Sequence, residues 1–204
     1  NLPDGKAVEL DHITSGIKNS PTGVIVFVKG NTIDILIPAF PVLSDAIYKS
    51  YNDKDLKILF NKPRLIGIIM LRLGRFALGV LENEQIIATK TEGRYVKNRH
   101  KAGGSSQRRF ERSRERLVRE FYDKSCQETN KLFEKYFDKF DCIFLGGEKH
   151  TLNGFKKRCP IIIKHEHKIM NRLLDVNIPN QKSLNIISRQ VYSSKLVTYE
   201  LFDE

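Results

Sequence analysis

The chain has 204 residues, 40% of them hydrophobic, and 35 Lys/Arg against 24 Asp/Glu give it a net charge of +11 and a pI near 9.6. That length suits one domain with a real core. No apolar run approaches the roughly 20 residues a membrane helix needs, and the charge favours an anionic partner over a cationic one.

Residues 1–20 place Leu10, Ile13 and Ile17 at helical spacing, and Asn1 in place of Met reads as a trimmed or partial chain. Ser20-Pro21-Thr22-Gly23 then breaks the pattern. Residues 24–28 and 32–37 read as two strands joined by a tight turn at Lys29-Gly30-Asn31. Between Pro41 and Lys62 the signals are weak, with a short helix at residues 43–51 and a further segment at 56–60. Residues 65–71, 76–81 and 85–89 form an antiparallel meander, punctuated by Arg72-Leu73-Gly74-Arg75 and Glu82-Asn83-Glu84.

Residues 91–106 carry no hydrophobic period and read as a loop of about 15 residues, a length that usually has a functional reason. A long helix follows over 106–140, with an apolar stripe running from Phe110 through Val118, Phe121 and Phe133 to Phe140. Residues 141–147 predict a strand ending in a glycine turn, 149–157 a helix, 160–163 a short strand, and 164–174 and 183–196 two more helices. A meander followed by β-α-β-like alternation predicts an α/β (α+β) class: one domain over residues 1–204, a mixed sheet flanked by helices, and a projecting loop leading into the long helix.

Charge is concentrated in one place. Residues 94–119 hold ten Lys/Arg against two Glu, a net +8 of the chain's +11. Inside that run sits Lys101-Ala102-Gly103-Gly104-Ser105-Ser106-Gln107. Gly103 and Gly104 permit positive φ and close backbone approach. Ser105 or Ser106 suits a helix N-cap. Gln107 then falls on the first helical turn, where free N–H groups favour negative charge. A glutamine does not ionise near neutrality; its amide holds a water while N–H groups stabilise an oxyanion.

Glycine–glycine and glutamine at a loop-to-helix junction, with a basic lead-in and an Arg-Phe-x-Arg-x-Arg continuation at residues 109–114, resembles the catalytic domain of eukaryotic and archaeal class I peptide release factors. Two serines separate Gly104 from Gln107, and this Gly-Ser-x-Gln form is more similar to the release-factor-like (VLRF) peptidyl-tRNA hydrolase branch used in ribosome rescue. The Leu145-Gly146-Gly147 strand end followed by a helix fits the same layout. The resemblance implies an ester hydrolase of the ribosomal peptidyl transferase centre: Gln107 orients the water, Gly103 and Gly104 shape the tip of a loop spanning about 93–107, and Ser105 takes the place of the release factor glutamine. It implies that Arg94, Lys97, Arg99, Lys101, Arg108, Arg109 and Arg112 contact rRNA or the tRNA acceptor end, largely through salt-dependent phosphate binding. The partners it implies are the large ribosomal subunit and peptidyl-tRNA, met by a cytoplasmic monomer with no membrane, metal or cofactor.

Competing readings remain at this point. The alternative to the hydrolase is a noncatalytic RNA- or ribosome-binding module whose basic loop only docks. His100 is the loop's only candidate general base. His165-Glu166-His167 near Cys159 hints at a metal but reads better as a surface helix, because His-x-His puts the rings on different faces. Asp34, Asp45 and Asp141 are the carboxylates a metal-dependent nuclease would use. Cys126, Cys142 and Cys159, spaced 16 and 17 apart, match neither a disulfide framework nor a CxxC zinc pattern and read as reduced thiols.

Overall fold

A computed structural model describes residues 20–96 and 107–200. The chain divides into two compact units, one made of Asn1–Lys62 with Val191–Glu204 and the other of Pro63–Gln190.

The smaller unit is built on an antiparallel sheet in the order β1-β2-β8, from β1 (Ile25–Lys29), β2 (Thr32–Ile37) and β8 (Lys195–Glu200). The β1–β2 turn closes at Gly30, which takes a φ of +56°. Alternation in β2 buries Ile33 and Ile35, while Asp34 on the other face accepts a hydrogen bond from the Thr198 hydroxyl of β8. Residues 43–51 form no helix; the one helix described here is α1 (Lys54–Asn61), which contains the 56–60 segment and buries Leu59.

The larger unit carries a five-stranded mixed sheet, order β5-β4-β3-β6-β7. Its meander is β3 (Leu65–Arg72), β4 (Arg75–Glu82) and β5 (Gln85–Gly93), all antiparallel. The parallel half adds β6 (Cys142–Gly147) beside β3, and β7 (Ile169–Leu174) beside β6. Ile66, Ile68, Ile69, Met70 and Leu71 are fully buried, so both faces of β3 are covered, which is why it reads as an unbroken apolar run. Helices α2 (Gln107–Phe133) and α3 (Lys149–Arg158) cover one face. Helix α5 (Gln181–Tyr192) sets Leu184 against Gly79 of β4. At the end of β6, Gly147 has a φ of +100° and packs directly on the Leu71 carbonyl, while Glu148 N–H donates to that carbonyl at 3.0 Å.

Several expectations are corrected. The long helix stops at Phe133, and residues 134–139 continue as turns with bonds such as Tyr136 N–H to Phe133 O. The aromatic spacing persists because Phe133, Phe137 and Phe140 pack edge to face in the core. The Lys168 ammonium takes the carbonyls of Phe137, Asp138 and Phe140 at 2.8–3.0 Å, in place of a continuing helical ladder. Residues 160–163 are helical, in α4 (Pro160–Lys164), where Pro160 starts the helix without needing an N–H. Residues 169–174, expected in a helix, are β7, because pairing with β6 outweighs an apolar spacing that suits either element. Residue 196 belongs to β8, not to the last helix.

The cysteines are also corrected: Cys126 and Cys159 form a disulfide, and Cys142 alone is free. Packing of α2 against the α3–α4 junction brings the two Cα atoms to 5.3 Å across a sequence separation of 33, a proximity that spacing cannot report. His165 is buried rather than on a surface helix; its ring stacks on Phe137 at 4.6 Å and its Nδ1 lies 2.8 Å from the Ile161 carbonyl.

Candidate functional site: the α2 arm and its root

The segment that carries the motif leaves the sheet at the end of β5 and returns as α2. Arg94 fixes its root. The Arg94 N–H donates to the Gly74 carbonyl at 2.7 Å, and its guanidinium donates to the Glu120 carbonyl at 3.3 Å. Gly74 has a φ of +89°, and a Cβ there would lie 2.9 Å from the Arg94 carbonyl, so the β3–β4 turn needs a glycine to seat the loop.

Helix α2 first touches the core through half-buried Val118 and buries a whole side chain only from Phe121 onward. Residues 107–120 include none that is buried, and Phe110, expected in the apolar stripe, is half exposed. Beyond that point the helix is tightly held. Phe121, Tyr122, Ser125, Thr129 and Phe133 are buried. The Arg158 guanidinium grips Asp123 through both carboxylate oxygens at 2.9–3.1 Å. Lys124 donates to Glu128 at 2.7 Å, and Lys90 of β5 lies 3.7 Å from the same carboxylate. The Lys124 hydrogen bond holds the Glu128 carboxyl below the usual carboxylate range. Tyr122 packs so closely on Gly154 of α3 that no side chain fits there, and burial raises its phenol.

Gln107 is the first residue of this arm. It stands well ahead of Glu120, the level at which Arg94 leaves the sheet, and so about 20 Å out along the helix axis. Its Nε2 donates to Glu111 Oε1 at 3.1 Å, which fixes the carboxamide plane. The carboxamide oxygen and a second N–H then serve a further partner. Arg108, Arg109 and Arg112 are exposed on the same arm and make no ion pair with any described residue; Arg116 reaches Glu120 at 3.8 Å.

Of the residues named from the sequence, the structure thus places Arg94 at the root and Gln107, Arg108, Arg109 and Arg112 along one arm. Gly103, Gly104, Ser105, Lys97, Arg99, Lys101 and His100, with the serine N-cap and the residue 1–19 pattern, lie outside the described residues. Reasoning from sequence missed Glu111 as the partner of Gln107, although the i, i+4 spacing offered it. Asp141 accepts from the Leu65 N–H at 2.9 Å and so serves a strand junction. Among the described residues, no three His, Cys, Asp or Glu side chains gather as metal ligands, and no helix is long and apolar enough to cross a membrane.

A mixed sheet that sends out a cationic helical arm with an amide at its tip defines a release-factor type of domain. The family described as Actinobacteria/chloroflexi VLRF1 release factor matches residues 64–197, and the chain belongs to that family. It is 28% identical over 156 residues to peptide chain release factor subunit 1 of Archaeoglobus fulgidus, covering 74% of this chain and 37% of that protein. Its identity to the same factor of Methanosphaera stadtmanae is 29% over 118 residues, covering 58% and 29%. The chain therefore spans about a third of the length of these relatives. Among solved structures, the Vms1 mitochondrial localization core has the same fold, with a TM-score of 0.51 at 15% identity over 93% of this chain and 82% of that one.

Proposed function

We propose that this chain is a ribosome-dependent peptidyl-tRNA hydrolase, a codon-independent release factor that frees nascent chains from tRNA on stalled large ribosomal subunits. The observation that carries the reading is Gln107 at the outer end of an arm that buries no side chain before Phe121 and bears Arg108, Arg109 and Arg112. Such an arm suits a site that another particle completes. Water attacks the ester carbonyl, the bond between that carbon and the ribose oxygen breaks, and the ribose oxygen takes a proton. The products are a free carboxylate and deacylated tRNA. Gln107 orients the water. The adjacent ribose hydroxyl and rRNA move the proton, since a glutamine exchanges none. Gly103, Gly104 and Ser105 shape the tip, and the Lys and Arg side chains of residues 94–112 meet phosphates. The protein works as a cytoplasmic monomer without a cofactor, and its two units act as one domain over residues 1–204.

The test is peptide release from purified large subunits carrying peptidyl-tRNA. Gln107→Ala is expected to slow release about 10²–10³-fold, the usual loss for a preorganised polar group at a developing oxyanion, with subunit binding retained. Unchanged release with binding retained would make the chain a noncatalytic ribosome-binding module instead.

A further inference from the structure

We propose that α3 and α4 form a second contact for RNA, a basic groove that takes the phosphodiester backbone of a helical RNA stem. The proposal rests on the reading of α2 as an RNA-facing arm. Lys149, His150, Asn153, Gly154 and Lys157 line an open groove of about 550 Å³. A second groove of about 450 Å³ shares Asn153 and Lys157, adds Lys156, and ends at Ile162, Ile163 and Glu166. The two form one trough along the outer side of α3.

Its charge is unspent. Arg158 is committed to Asp123, but Lys149, Lys156 and Lys157 make no ion pair among the described residues. The nearest acids are Glu148, whose carboxylate accepts from the Thr151 hydroxyl, and Glu166 at the far end. Three lysines thus line the trough against one acid in its lining, Glu166. Exposed lysines spaced along a helix suit repeated phosphates, which need no buried charge. The lining holds no Phe, Tyr or Trp on which unpaired bases would stack. It therefore fits a duplex, which is read through backbone and 2′-hydroxyls.

Position points the same way. Helices α2 and α3 run side by side in the same direction, since Tyr122 meets Gly154 and Cys126 meets Cys159. Lys149, at the start of α3, therefore lies beside the part of α2 that leaves the core, while Lys156 and Lys157 lie in the last turn. An RNA stem whose end meets the arm runs its backbone back along α3, where Lys149 and Lys157 stand about 12 Å apart.

The test measures binding of the full chain to a blunt RNA duplex of roughly 16 base pairs across a salt series. Lys149→Gln with Lys157→Gln is expected to reduce the slope of log affinity against log salt by about 1.4–1.8, the loss of two phosphate contacts. Lys149→Arg with Lys157→Arg is expected to keep the wild-type slope. Gln107→Ala is also expected to keep it, so the groove is judged apart from catalysis. An unchanged slope in the glutamine pair overturns the groove, whatever the release assay gives. So does a slope lost in both pairs, which marks damage to the fold. Lysine-dependent binding to phosphatidylserine vesicles, with duplex binding unaffected, would reassign the trough to a lipid surface.

Discussion

Gln107 works, in this reading, only if its amide is held in one plane, and Glu111 is the group that holds it. A glutamine–carboxylate pair at i, i+4 contributes about 0.2–0.5 kcal/mol on a helix surface. Glu111→Ala is therefore expected to lower the release rate constant about twofold. The same change removes a negative charge from a cationic arm, so apparent affinity for the ribosome should rise. A lower kcat together with a lower KM identifies positioning; a lower kcat with a raised KM would show that Glu111 merely supports the helix. Gly74 sits at the other end of the problem. At a φ of +89° with the Arg94 carbonyl against it, it has no room for a methyl group. Gly74→Ala is expected to destabilise the protein by about 1–3 kcal/mol, read as a lower denaturant midpoint with unchanged m-value. Wild-type stability in that variant would mean the root of the loop is not fixed there. The two residues differ in legibility. Gln107 announces itself by its neighbours in sequence. Gly74 looks like any turn glycine, because both β4 and β5 lie between it and the carbonyl it accommodates.

Among the elements, those that follow a local rule were readable and those decided by a distant partner were not. The β3–β4–β5 meander was visible because alternation, turn residues and continuous apolar runs are properties of the strands themselves. β7 was not, since Ile169, Met170, Leu173 and Leu174 suit a helix as well as a strand, and only the edge of β6 decides between them. The end of α2 at Phe133 was hidden for a related reason: the carbonyls of Phe137, Asp138 and Phe140 are taken by Lys168, which belongs to a later element. The Cys126–Cys159 bond likewise depends on how α2 packs on α3. The packing of α2 on β5 has an electrostatic clamp of its own. Glu128, nearly buried between Lys124 and Lys90, is held below the ordinary carboxylate range by the Lys124 hydrogen bond. A carboxyl depressed in the folded state contributes stability above its unfolded value and loses it as pH falls through its folded value. Thermal stability should therefore fall on acidification through and below the usual carboxylate range. Glu128→Gln should be less stable near neutral pH and show a shallower acid limb. An acid limb of unchanged slope in Glu128→Gln would assign the acid sensitivity to other carboxylates.

For the molecule as a whole, the unequal cores of the two units set how each resists opening. The class and the mixed sheet were legible from the order of the elements; the second sheet was not. Its strands β2 and β8 come from opposite ends of the chain, and no local pattern at Lys195–Glu200 names Thr32–Ile37 as its partner. That separation has a physical consequence. The pairing of Asp34 with Thr198 closes a loop across a sequence separation of 164, and that loop-closure entropy weighs against its forming early. The smaller unit also has less to hold it. Its buried hydrophobic residues are Ile33, Ile35, Ala39, Phe40, Leu59 and Val191 among those described, and Val26 and Val28 of its edge strand are exposed. In the larger unit, β3 and β4 are buried through nearly their whole length. Regions with few buried apolar contacts open at free energies well below that of global unfolding. Amides of β1, β2 and β8 should therefore exchange with deuterium faster than those of β3 and β4, by at least about tenfold if the local opening lies about 1.4 kcal/mol or more below the global one. Under mild denaturant the amides of β3 and β4 should converge on one opening free energy, as these strands open together, while those of β1, β2 and β8 stay below it. Equal protection in β2 and β3 across the denaturant series would mean that the two units unfold as one, and that the core of Pro63–Gln190 also sets the stability of the smaller sheet.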